Sequence, residues 1–137
     1  MLIFRDEIES TYEKVDETVR TIINKCKNIP ELDDKSLLFK LSLILRELLN
    51  NSVEHGNKFD QDKNIVCEVR FINSVIEITV IDEGEGIEID VDLMLQESPS
   101  TEVNHRNRGF KILKKMDFEL MIAGNKITAK YKIPQNE

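Results

Sequence analysis

The spacing of hydrophobic positions changes several times along the chain, and each change marks an element. Ile8, Tyr12, Val15, Val19, Ile22, Ile23 and Cys26 recur at close to a helical period. They predict a helix over 7–27, preceded by a short strand at 2–5. The Ile29-Pro30 pair ends that helix, because the residue before a proline avoids helical backbone. Asp33 and Asp34 then offer caps to a second helix over about 33–55. Its Leu38, Leu41, Leu45, Leu48, Leu49 and Ser52 share one broad face.

Further on, the period falls to two. Ile65, Cys67, Val69 and Phe71 alternate with their neighbours, Asn73-Ser74 offers a two-residue turn, and Val75 to Ile81 returns as a second strand. Residues 82–89 read as an acidic, glycine-containing loop, 90–97 as a short helix and 98–107 as a polar loop. A helix starting near Gly109 carries Phe110, Ile112, Leu113 and Met116. Two last strands, 118–122 and 126–133, flank a turn at Ala123-Gly124-Asn125. Helices segregated from hairpin-linked strands predict an α+β fold, a two-layer α/β sandwich with helices on one face of a mixed, mostly antiparallel sheet. With neither repeat nor linker, the 137 residues read as a single domain over 1–137.

Composition narrows the function. Nineteen Lys and Arg against 26 Asp and Glu give a net charge of −7, which opposes non-specific binding to nucleic acid. Leu37 to Leu49 is the richest apolar run, and Lys40, Arg46 and Glu47 break it. No stretch therefore reaches the ~20 apolar residues of a membrane span, and the N-terminus does not read as a secretory signal. Cys26 and Cys67 are not spaced for metal and fit reduced thiols in a cytoplasmic protein. His55 and His105 lack partners at zinc spacing, and neither a phosphate-binding P-loop nor a serine or cysteine nucleophile motif is present.

Three segments carry candidate chemistry. On the second helix, Glu47 and Asn51 lie one turn apart, away from the apolar face, with Glu54 beside them. A carboxylate and an amide oxygen there suit proton transfer beside a hard cation such as Mg²⁺. The plain alternative is a solvated helix face ending at a Gly56 cap. At the end of the second central strand, Asp82 shares a face with Ile76, Ile78 and Val80, so it points into the layer between sheet and helices. A carboxylate there needs a partner, such as a ligand amino group, and Gly84 and Gly86 admit close backbone approach. The alternative is an ordinary strand-end turn. An EF-hand reading of the acidic run fails at Ile87, where such a loop needs glycine. Finally, Arg106 and Arg108 precede the helix start at Gly109-Phe110, which suits a phosphate or is simply an exposed basic loop.

Taken in order, these segments resemble the GHKL (Bergerat-fold) ATPases, the superfamily of gyrase and histidine-kinase ATP-binding domains. Glu47-x-x-x-Asn51 is similar to its N box, Asp82-x-Gly84-x-Gly86 to its first glycine box, and Arg108-Gly109-Phe110 to its second. Within it, Asn51-Ser52-Val53-Glu54-His55-Gly56-Asn57 and the short segment between glycine boxes resemble the anti-sigma-factor serine/threonine kinases. The resemblance implies ATP and Mg²⁺ as cofactors. Glu47 would be the general base, Asn51 the Mg²⁺ ligand and Asp82 the acceptor for the adenine amino group. It further implies that Gly84, Gly86 and Ile87 line the nucleotide, that residues 88–108 form an ATP lid, and that Arg108, Gly109 and Phe110 lie near the phosphates. Thr128 would place a hydroxyl near adenine. Implied partners are a sigma factor and an anti-anti-sigma (STAS-type) protein carrying the acceptor hydroxyl, and the implied assembly is a homodimer.

One position departs from the pattern: Asn107 stands where the second glycine box usually begins with glycine. It favours an alternative reading, a non-catalytic nucleotide-binding interaction module. Another alternative is an ATP-binding subunit acting on a histidine in a different protein, since the helix at 7–27 contains no histidine of its own. A structural domain with accidental motif matches would leave the inward Asp82 unexplained.

Overall fold

A computed structural model describes residues 1–86 and 115–134. The order of elements is β1 (Leu2–Glu9), α1 (Tyr12–Lys27), a single 3-10 turn at Pro30–Leu32, α2 (Lys35–Asn51), a π turn at Ser52–Gly56, β2 (Asn64–Ile72), β3 (Val75–Ile81), β4 (Glu119–Ala123) and β5 (Lys126–Lys132). The strands form one sheet in the order β1-β2-β3-β5-β4. Every pairing among the described residues is antiparallel, so the mixed sheet expected from sequence is here antiparallel throughout. The fold is α+β, in two layers.

Alternation builds the inner face of the sheet. Ile65, Cys67 and Val69 of β2, Ile76, Ile78 and Val80 of β3, and Ile127, Ala129 and Tyr131 of β5 are all buried in one cluster. Val15, Val19, Ile22 and Cys26 of α1 and Leu41, Ile44, Leu45, Leu48 and Leu49 of α2 complete that cluster from the helix layer. On the outer face, Arg70, Glu77, Lys130 and Glu119 face one another across the four strands β2, β3, β5 and β4. That row alternates in sign, which suits a solvated surface.

The caps explain where the helices begin. Asp34 accepts from the Leu37 N–H at 2.9 Å, as expected for α2. The start of α1 differs from expectation: residues 7–9 belong to β1, not to the helix. Ile8 fits a helical stripe with Tyr12 and Val15, but it also lies opposite Ile65 in the β1–β2 ladder, and pairing with β2 prevails. Thr11 caps α1 instead, accepting from the Lys14 N–H at 3.1 Å. The β2–β3 hairpin turns at Asn73 and Ser74, whose φ values of 52° and 64° are those of a type I′ turn. The expected short helix at 90–97, the loop at 98–107 and the helix start at Gly109 lie outside the described residues.

Ile8 is 2% exposed and Leu2, on the same strand, is 49% exposed. Ile8→Ala is therefore expected to lower unfolding free energy by about 2–5 kcal/mol in urea titration, and Leu2→Ala to change it by less than about 0.5 kcal/mol.

Candidate functional site

The end of α2 is anchored by apolar side chains. Leu48, Leu49 and Val53 are fully buried, which fixes the rotation of the helix and leaves Glu47 half-buried at its edge. Asn51, one turn on, donates its amide N–H to Glu47 Oε1 at 3.5 Å, so its amide oxygen is the atom left for a ligand or cation. At Ser52 the helix widens into the π turn, closed by the Asn57 N–H on the Ser52 carbonyl at 2.7 Å. Such wide turns are rare and concentrate at functional sites. Asn57 is 1% exposed and ties this turn to three other segments. Its amide donates to Ser10 Oγ at 2.8 Å and to the Asn64 carbonyl at 3.1 Å, and its oxygen accepts from the Glu83 N–H at 2.8 Å.

Asp82 arrives from the opposite layer. Ile76, Ile78 and Val80 are fully buried on the inner face of β3, and the same parity turns Asp82 inward, where it too is buried. Its Oδ1 accepts from the Gly84 N–H at 2.9 Å. The carboxylate lies against Gly56, where a Cβ would come within 2.1 Å of Oδ2. Gly84 lies equally close to the same turn: a Cβ there would sit 2.3 Å from the Gly56 carbonyl oxygen. Gly56 has no left-handed backbone; that conformation falls instead on Lys58 and Phe59, with φ of 51° and 61°. The glycine is thus required for space beside Asp82, and the alternative of a left-handed glycine cap is not what the structure shows.

Between these parts lies a narrow pocket with an accessible volume of about 10 Å³. The end of α2 supplies Asn51, Ser52 and Gly56, the exit from β3 supplies Asp82 and Gly86, and the β4–β5 hairpin supplies Gly124, Asn125 and Ile127. Burial pushes the Glu47 carboxyl above the ordinary range, the Glu54 charge adds to this, and the Asn51 hydrogen bond opposes it. Glu54 is itself held by the Tyr12 hydroxyl, whose pKa is pushed up to about 12, first by that hydrogen bond and then by burial.

The model of the family described as histidine kinase-like ATPase domain matches residues 8–130. The chain belongs to this family. No curated protein matches it. Membership in the histidine kinase-like ATPase domains, within the GHKL superfamily, makes the chain an ATP-binding one.

Within this histidine kinase-like ATPase domain, the residues expected at the site are placed unequally. Asn51, Asp82 and Gly86 line the pocket, Glu47 adjoins it through Asn51, and Gly84 packs behind Asp82 against the π turn. Thr128 is not brought to the pocket. It pairs with Thr79 on the outer face of the sheet, and Ile127, one residue earlier, lines the pocket instead. Ile87, Arg108, Gly109 and Phe110, with the lid at 88–108, lie outside the described residues. Sequence reasoning assigned no role to Asn57 or Asn125. Asn57 carries no periodicity signal, and Asn125 read only as a turn residue.

Two outcomes follow from this geometry. Gly56→Ala is expected to destabilise the protein by about 1–3 kcal/mol, and by much less in an Asp82→Ala background, as a double-mutant cycle would measure. Glu47 holds its proton more tightly folded than unfolded, so its ionisation costs stability as pH rises from the ordinary carboxylate value through the higher folded one. Glu47→Gln is expected to raise the melting temperature above that window and to leave it unchanged below, as thermal scans across pH would show.

Proposed function

We propose that this ATP-binding domain is a protein serine/threonine kinase of the anti-sigma-factor type, acting in the cytoplasm as one domain over 1–137 and, by resemblance, as a homodimer. The observation that carries the reading is the pairing of Glu47 with Asn51 beside a pocket that buries Asp82. In this reading Asp82 takes the adenine amino group, and Glu47 faces the acceptor.

Asn51 would hold Mg²⁺, and the donor set fits. Its amide nitrogen is committed to Glu47, which leaves a hard oxygen ligand. Among the described residues no cluster of three His, Cys, Asp or Glu stands ready to cage a metal, so phosphates and water would complete the shell. When bound, the ion neutralises charge on the phosphates.

Glu47 then serves as general base. The acceptor hydroxyl oxygen bonds to the γ-phosphorus, the bond from that phosphorus to the ADP oxygen breaks, and the hydroxyl proton passes to the Glu47 carboxylate. Burial makes that carboxylate a stronger base than one in water. The acceptor would sit on an anti-anti-sigma (STAS-type) protein, and the protein bound and released would be a sigma factor; the N-box phrase Asn51 to Asn57 supports this choice. Asn107 favours a second reading, a nucleotide-binding module without transfer.

Calorimetry with ATP and Mg²⁺ is expected to show binding that Asp82→Asn weakens at least tenfold and that loses its metal dependence in Asn51→Ala. Glu47→Ala is expected to keep ATP affinity within about threefold and to abolish transfer of labelled γ-phosphate to an acceptor protein. Transfer that survives Glu47→Ala would refute the base assignment, and a wild type silent at millimolar ATP would refute the nucleotide site.

A further inference from the structure

Asn125 brackets the peptide of Asp82 from both sides. The Asp82 N–H donates to the Asn125 carbonyl at 3.1 Å, and the Asn125 side-chain amide donates to the Asp82 carbonyl at 2.6 Å. These bonds continue the β3–β5 ladder by one step beyond its last pair, Ile81 opposite Lys126. In a regular antiparallel pair two backbones would exchange both bonds. Here Gly124, with φ of 63°, turns the chain, and the side chain of Asn125 makes the return bond. The same hairpin supports the loop after Asp82. A Cβ on Gly86 would lie 2.6 Å from the Gly124 carbonyl carbon and 2.9 Å from the Asn125 nitrogen.

Asp82 is thus held through its main chain by Asn125 and through Oδ1 by the Gly84 N–H, and it lines the pocket. A carboxylate discriminates among bases only if its direction is fixed, because a misdirected acceptor forfeits the hydrogen bond it was buried to make. We infer that Asn125 is a positioning residue for base selectivity, aiming Asp82 at the exocyclic amino group of a purine by clamping its peptide to the β4–β5 hairpin. The inference rests on the reading of Asp82 as the base-recognising group.

ATP and ITP separate the two ideas, since ITP carries a carbonyl oxygen where ATP carries the amino group. Their affinities would be measured by calorimetry on wild type, Asp82→Asn, Asn125→Ala and Asn125→Asp. Wild type is expected to prefer ATP, and Asp82→Asn to remove most of that preference. Asn125→Ala is expected to weaken ATP about tenfold while ITP stays within about twofold, which also shows that the variant is folded. Asn125→Asp keeps the shape of the side chain and opposes two oxygens, so it is expected to lose more of the preference than Asn125→Ala. Equal weakening of both nucleotides by Asn125→Ala, or wild-type preference in Asn125→Asp, would overturn the positioning role alone. An unchanged preference in Asp82→Asn would overturn the reading of Asp82 and this inference with it.

Discussion

A carboxylate buried between two layers is costly unless something answers it, and the arrangement around Asp82 is organised by that cost. The side chain faces the end of α2, where Gly56 has no side chain to collide with it. The peptide of Asp82 is fixed from the hairpin by Asn125, and the peptide of Glu83 is fixed from the π turn by Asn57. Those bonds fix the main chain of the segment, and the Gly84 N–H fixes Oδ1 of the side chain.

The periodic parts of this design were legible in the sequence. Period-two alternation gave β2, β3 and β5 close to their observed limits, and strand parity alone set the inward direction of Asp82. Helical periodicity and the Asp34 cap gave α2 and put Glu47 and Asn51 on one side. Where periods compete, the sequence was ambiguous: Ile8 satisfies both a helical stripe and a strand, and only pairing with Ile65 decides. The Thr11 cap of α1 was found only in the structure. The π turn was not legible, because no residue type marks a widening of the helix, and a cap was the plain alternative for Gly56, since caps are where helical glycines usually serve.

Thr128 shows the reverse case, in which strand parity corrects the family pattern. Ile127 lies opposite Val80, on the face that carries Asp82, so Thr128 must point the other way. The wall of the pocket at that point is therefore apolar. The rest of the lining is mixed: Asn51, Ser52 and Asn125 bring polar side chains, and Gly56, Gly86 and Gly124 leave backbone open to the pocket.

Two independent registers meet at this site. The helical period of α2 places Glu47 and Asn51, and the strand period of β3 places Asp82; neither constrains the other through covalent structure. They are brought to one pocket because the π turn lets the chain leave α2 beside the β3 exit, where Gly56 and Gly84 allow backbone to approach backbone. A side chain at either glycine would separate the two registers by the width of a methyl group while leaving both elements intact. The separation matters because hydrogen bonds to a carboxylate fail over a few tenths of an ångström, whereas the packing of Leu48 and Ile78 tolerates such shifts at modest cost. The geometry of the pocket is therefore more sensitive to these two glycines than either element is.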